Sequence, residues 1–461
     1  LQVGSSSLAF PRGANAAYWT WLLGMILLAV SYPANGGPAG GRQDQVLMWT
    51  LALGLVLVAL IWAMVCIAST VLGARATGMD LEMVPVSSWG FLVFSLVGLL
   101  SLPLLIAQLV LAYLDVKYGF LGDGASRTSL VGILDSAALP PAIYWIGIPA
   151  LAIGLETIGV HSGRPLRFHR SVLVFVGILG ILSFGADVFS FASRGRVQAF
   201  DNGPLVGVLI AAVLPVLASI VFASESLKGG RLKICTPLVA GLLSGVLLLA
   251  GVGAALLAVV WPIVRFIEVE GDTSVGLNNS FDLAGTSFHE GIWGLVLGAA
   301  LLGVIAGLHH WGHKIWGRAL DDKAGLLATV AAALGAALWG AGNIVAAFVG
   351  PQPRLPLADG ELDSAVEAFN VVSAVGLALV AVAGVILLLT VARAAANQGP
   401  ANEPWRGVTL EWATASPPIA SNFVGPVSVL SSTPLIEGFT ILGEAADAAD
   451  SDAGDANEES A

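Results

Sequence analysis

Charged residues are scarce in this chain of 461 residues: Asp, Glu, Lys and Arg together make up 11% of it, against 56% for hydrophobic residues. This composition excludes a soluble globular domain, in which roughly a quarter of the residues are charged. Cysteine is scarcer still, and Cys66 and Cys235 lie too far apart in sequence to form a metal-binding or redox motif, which argues against a disulfide. With a formal net charge of −11, no nucleic-acid partner is expected.

Long apolar runs are abundant instead. A helix needs about 20 apolar residues to cross a bilayer. In lipid, a single segment can satisfy the hydrogen bonds of its own backbone only as a helix. The 56 glycines are typical of closely packed membrane helices. We therefore predict an all-α integral membrane protein with ten transmembrane helices, which lie at about 16–32, 46–73, 88–114, 137–160, 170–192, 203–224, 236–264, 286–311, 324–349 and 366–394.

The charged residues that do occur are unevenly placed. With a cytoplasmic N-terminus, thirteen of the twenty Lys and Arg residues fall on the cytoplasmic side, so the positive-inside rule favours both termini there. Acidic residues concentrate in the last 25 positions, where no Lys or Arg occurs. We predict a membrane domain over 1–425 and an acidic, disordered cytoplasmic tail over 426–461.

Short motifs along the chain resemble those of one membrane-protein family, subunit I of the haem–copper oxidases (the cytochrome c oxidase family). They occur in the same order as in that family, over about residues 1–425. The resemblance implies the family's third to twelfth helices, without its first two. The motifs are Leu1–Gly4, Ala9–Arg12, Gly36–Gly40, Arg75–Met79 with Pro85 and Trp89, Leu100–Pro103 with Asp115, Gly229–Gly230 with Thr236–Pro237, and Pro404–Pro418.

The family implies two haems and a copper ion held by histidines, yet the copper ligand positions here are Pro140, Ala186 and Asp187. Two proton-conducting side chains, a glutamate and a lysine, are replaced by Ala142 and Ser219. The coordinated loss of copper and proton-path residues argues against oxygen reduction.

Two polar side chains remain at the altered centre. Tyr144 matches the family's tyrosine, and it is either a vestige of the copper site or a core tyrosine with a hydrogen-bonded hydroxyl. Asp187 is either a packing partner or a functional carboxylate, since an acid inside a span is costly and usually has a role.

The haem ligands depend on the register of the tenth family helix. Asp282 and His289 have the spacing of the family's aspartate and high-spin haem ligand, but counting back from Trp311 places that ligand on Gly291. His289 is therefore a haem ligand or a histidine near the end of a span. Arg354 is what remains of the family's propionate-binding arginine pair, or an interfacial residue.

Three histidines, His309, His310 and His313, lie together near the end of the same helix. His309 and His313 are four residues apart and could share one helix face, so this pair is a candidate Zn or Cu site. The alternative is a polar helix end, because no nearby Cys or carboxylate completes the set.

These observations favour a non-catalytic subunit I-like protein that is a structural or assembly component of an aerobic respiratory oxidase complex, with no cofactor. The alternatives are a catalytic terminal oxidase subunit that binds haem and copper, and a single-haem or metal sensor. The expected partners are other oxidase subunits, lipid and a separate chain supplying the missing helices, in a prokaryotic plasma membrane. Side chains or lipid would fill the family's cofactor spaces, and the candidate side chains are Trp145, Phe184, Phe189 and Phe191.

Overall fold

A computed structural model gives the structure of the chain. It describes residues 1–37, 41–119, 128–192, 203–228, 233–269, 283, 286–349, 364–397, 405 and 407–441. Side chains are described throughout these ranges except over 128–144, 185–192, 203–206, 208–209, 259 and 262–269.

The ten predicted spans are confirmed as ten long helices. They are α1 Pro11–Ser31, α2 Gln43–Gly73, α3 Val86–Tyr118, α4 Thr128–His161, α5 His169–Ala192, α6 Gly203–Ser224, α7 Thr236–Val269, α8 Ser287–Trp316, α9 Asp322–Val349 and α10 Ser364–Ala396. Eight of them are long and apolar enough in their described parts to cross a membrane, and α4 and α5 contribute the shorter apolar stretches Trp145–His161 and His169–Phe184.

Local sequence explains several helix ends. Pro11 occupies the first turn of α1, where its missing N–H costs no hydrogen bond. Helices α3 and α8 end at Gly119 and Gly317, which both adopt a left-handed backbone with φ of 66°. Glycine takes up this conformation without a Cβ clash and so ends a helix sharply.

Each long helix packs against its successor in the chain, and α4 also contacts α7 and α8. Glycines allow the closest of these approaches, as small residues do in membrane bundles. A Cβ on Gly154 of α4 would lie 2.7 Å from the carbonyl oxygen of Gly241 in α7, and a Cβ on Gly298 of α8 would lie 2.1 Å from the Cβ of Ala336 in α9.

The two ends of the described chain meet at one end of the bundle. The N–H of Ala76 donates to the carbonyl of Val3, and the amide of Asn422 donates to the carbonyl of Ser5. This end also carries the 3₁₀ turns Leu81–Met83, Glu225–Leu227 and Leu410–Ala413. The first and last described segments therefore lie at the same end of the helix bundle.

The described fold continues past the predicted boundary at 425, up to residue 441. Strands β1 (Val427–Val429) and β2 (Phe439–Ile441) pair antiparallel around the short helix α11 (Pro434–Glu437). Val427 and Val429 are buried in a small core with Val3 and Met79. This alternating burial stabilises the hairpin, and the remaining predicted tail, 442–461, lies outside the described residues.

Candidate functional site: the polar end of the helix bundle

Most of the residues predicted to replace the family's metal ligands and proton-path side chains lie beyond the described side chains. Pro140, Ala142 and Tyr144 belong to α4, and Ala186 and Asp187 belong to α5, in parts where only the course of the helix is described. Arg354, Phe189 and Phe191 also fall outside the described residues or side chains. Their predicted roles stay predictions.

Ser219, which the sequence analysis predicts to replace the family's lysine, is fully buried in α6. Its hydroxyl donates a hydrogen bond of 2.7 Å to the carbonyl of Pro215, one turn earlier in the same helix. This contact satisfies the hydroxyl within its own helix.

Gly291 does not fit a haem ligand. It has no ligating side chain, and it lies buried where α8 packs against α9. A Cβ at this position would lie 2.6 Å from the side chain of Ile344 and 2.7 Å from the carbonyl oxygen of Gly340. Gly291 is the position that the count back from Trp311 predicts for the high-spin haem ligand, and that register stays a prediction.

His289 lies in the first turn of α8 and is partly buried. Its backbone N–H donates to the carbonyl of Thr286, the residue that caps the helix. The residue thus lies at the start of α8, and both alternatives for it stay predictions.

The three histidines near the end of α8 do not converge on one point. The Nδ1 of His309 lies 2.9 Å from the carbonyl of Ile305 within the helix, and its Nε2 lies 2.3 Å from the point where a Cβ on Gly325 of α9 would be. His310 and His313 instead contact Trp412, with ring centroids 5.2 Å away in both cases. Helix geometry brings residues four apart close together, but here the rings of His309 and His313 point to different neighbours.

Among the residues that the structure describes, no group of three or more His, Cys, Asp or Glu side chains could hold a metal ion. Four ligands are usual for structural zinc, and catalytic zinc takes three from the protein. The pair His309 and His313 therefore gains no third protein ligand in the described part of the chain.

A buried row of polar side chains joins α4, α7 and α8. The Nε2 of His161 lies 3.3 Å from the Nδ1 of His310, and the Nδ1 of His161 lies 3.3 Å from the Sγ of Cys235. Both histidines and the cysteine are at most 3% exposed. Because His161 uses its two ring nitrogens for two different neighbours, the arrangement is that of a hydrogen-bonded chain and not of ligands around one ion.

Two tryptophans of the segment after α10 cover this row. The ring of Trp405 contacts His161 at a centroid distance of 4.5 Å, and its Nε1 donates to the carbonyl of His310. Trp412 covers His310 and His313 from the same side. Burial raises the pKa of the thiol of Cys235, which precedes α7, and a raised pKa disfavours the thiolate, the nucleophilic form of cysteine.

A second buried network joins the N-terminal segment to the same tail segment. The N–H of Ser87 donates to a carboxylate oxygen of Glu156 at 3.1 Å, and the hydroxyl of Ser87 donates to the amide oxygen of Gln2. The amide nitrogen of Gln2 then donates to Glu411 at 2.8 Å. Glu156 also lines a cavity of about 60 Å³, which is large enough for water.

Comparison with known proteins identifies the family of this scaffold. A model of the family "Cytochrome C and Quinol oxidase polypeptide I" matches residues 1–267, more than half of the chain. The chain belongs to this family. The resemblance seen in the ordered motifs is thereby confirmed, as is the all-α membrane fold.

Relatives align along nearly the whole chain. Cytochrome c oxidase subunit 1 of a Synechocystis species is 26% identical over 442 residues, which cover 92% of this chain and 76% of the relative. The heme–copper oxidase subunit I+III of Aeropyrum pernix is 28% identical over 460 residues, which cover 92% of this chain and 52% of that longer protein. The putative cytochrome c oxidase subunit 1-beta of Streptomyces coelicolor is 26% identical over 469 residues, 95% of this chain and 76% of the relative.

The predicted filling of cofactor spaces by aromatic side chains is wrong for Phe184, which is 37% exposed on the outside of α5. Its position on the stripe of Val174 and Ile181 explains this, because all three point away from the bundle. Trp145 is partly buried and packs against two parts of the core.

Proposed function

We propose that this oxidase family member is non-catalytic and serves as a structural or assembly component of an aerobic respiratory oxidase complex. The observation that carries this proposal is the closed contact at Gly291. Where the family register calls for a haem ligand, α8 and α9 approach so closely that even a methyl group would collide with backbone. Pro140, Ala186 and Asp187 at the copper positions support the same conclusion.

The retained motifs support a packing role. Trp405, Glu411 and Trp412 belong to the family motif after the last helix, and each contacts the end of the bundle or the N-terminal segment. These contacts stabilise the fold without any redox group. Random mutation without selection would have changed packing residues and metal ligands alike. This chain instead keeps the packing residues and lacks the metal ligands.

The proposed setting is the plasma membrane of a prokaryote. Both termini of the described chain lie at one end of the bundle, and the distribution of Lys and Arg supports a cytoplasmic location for that end. The proposed partners are other oxidase subunits and lipid, and also a separate chain that supplies the equivalents of the family's first two helices. No haem or copper is required by the chain itself.

Affinity purification tests the proposed partnership. We expect the tagged full-length chain, extracted from its native membrane in mild detergent, to co-purify with subunits of a respiratory oxidase. The isolated chain should unfold at a lower temperature than the complex. Of the eight spans that are long enough in their described parts, α1 and α10 are the least covered, with 11% and 22% of their most apolar stretch buried. A chain that purifies alone and melts cooperatively at the same temperature would contradict the proposal.

A further inference from the structure

A cleft opens where α5 begins, beside the cavity that Glu156 lines, and the two share Leu166, His169 and Ser432. Its volume is about 500 Å³. Arg167 of the loop before α5 and Arg170 of the first turn of α5 line one side, and Ser431 and Ser432 of the tail segment line the other. Glu82 also lines the cleft. Both arginine side chains are exposed, so the cleft presents two guanidinium groups at the end of a membrane-spanning helix.

The cleft is built to hold its arginines in place. The backbone N–H of Arg167 donates to the hydroxyl of Ser226 at 3.0 Å, and its guanidinium lies over the ring of Phe168. The ring of His169 contacts the carbonyl of Val84 at 3.1 Å. Arg170 pairs with Glu82 at 3.2 Å, but both side chains are more than 60% exposed, and an ion pair this exposed is weak.

The first turn of α5 adds a further attraction for an anion. The first N–H groups of a helix lack partners within that helix and carry a partial positive charge. Arg170 lies in this turn, since α5 begins at His169. Guanidinium groups bind phosphate through paired hydrogen bonds, so the cleft suits a phosphate group.

An exposed apolar stripe runs down α5 directly below Arg170. Val174, Ile178 and Ile181 lie four, eight and eleven residues after it, on one face of the helix, and they are 58%, 38% and 75% exposed. A molecule bound along this face meets cations at the membrane surface and hydrocarbon within the membrane. A diacyl phospholipid with an anionic headgroup has this combination, whereas a free phosphate would use only the upper part.

We propose that this cleft, formed by Arg167, Arg170 and the stripe below them, binds one anionic phospholipid. The phosphate lies between the two guanidinium groups and the first turn of α5, and an acyl chain lies along Val174, Ile178 and Ile181. Anionic lipids are recognised by basic residues at the ends of transmembrane helices. The site does not depend on whether the chain carries redox cofactors.

Native mass spectrometry of the full-length chain in detergent tests the site, with phosphatidylglycerol and phosphatidylcholine of identical acyl chains as probes. We expect one phosphatidylglycerol to bind in preference to phosphatidylcholine. The double variant Arg167→Gln/Arg170→Gln should weaken that binding at least about tenfold, because charged hydrogen bonds are lost. Glu82→Gln should strengthen it, since Arg170 loses its competing partner.

The matched control is Arg318→Gln/Lys323→Gln, which removes two exposed charges at the same end of the bundle. Equal weakening by this control would show that general surface charge attracts the lipid and would overturn the site. Equal binding of the two lipids would overturn it as well. Displacement of phosphatidylglycerol by millimolar inorganic phosphate would show that the cleft binds free phosphate and not a lipid.

Discussion

Gly154→Leu should prevent the chain from forming a stable bundle. Gly154 of α4 faces Gly241 of α7, and its Cβ would lie 2.7 Å from the carbonyl oxygen and 3.2 Å from the carbonyl carbon of that residue. These are backbone atoms, so the leucine can be accommodated only if the helices separate. Overpacking of this kind costs about 3 kcal/mol or more, a large share of the stability of a typical domain.

The measurement is the yield of monodisperse protein and its melting temperature in detergent. Gly253→Leu is the control, because Gly253 lies on the exposed side of α7 and a Cβ there would meet nothing within 4 Å. The same leucine should be tolerated at this position. If both variants behaved alike, close packing between α4 and α7 would not be what holds these helices together.

Trp412→Ala should detach the segment after α10 from the bundle. Trp412 is 4% exposed, stacks on His313 at an interplanar angle of 23°, and lies within 5.7 Å of the amino group of Lys314. Replacing a buried tryptophan by alanine costs about 3–5 kcal/mol. Because removal of the indole ring also exposes His310, the substitution should destabilise the fold more than the loss of one surface contact would.

Limited proteolysis measures the detachment, since a released segment is cut between α10 and the tail hairpin. Trp19→Ala removes a tryptophan that is 61% exposed, and it should leave the cleavage rate and melting temperature nearly unchanged. If Trp412→Ala were cut no faster than the unaltered chain, the aromatic contacts of Trp412 would not be what holds the segment in place.

The fold was predictable because lipid restricts it. Runs of about 20 apolar residues must form helices in a membrane, and the ten predicted spans correspond one by one to α1–α10. Local sequence also explains several helix ends, such as those at Pro11 and Gly119. The hairpin at 427–441 was missed because its strands are only three residues long and lie beside an acidic segment. The alternation of buried and exposed residues in so short a strand is not visible in the average composition of the segment.

The buried polar networks could not be predicted from spacing. His161 is 149 residues from His310 and 74 residues from Cys235, so only the packing of α4 against α7 and α8 brings the three together. Conversely, the spacing of His309 and His313 predicted a shared face, but their rings contact different helices and segments. Periodicity places a residue on a helix, whereas tertiary packing decides what its side chain meets.

The central claim, a family scaffold without its redox centre, is tested most directly on the purified native complex. Elemental analysis should find no copper assigned to this chain, and the reduced-minus-oxidised spectrum of the separated chain should show no haem band. The same result is expected for Tyr144→Phe, because no copper centre depends on that tyrosine. Stoichiometric copper together with a high-spin haem band in the separated chain would contradict the account.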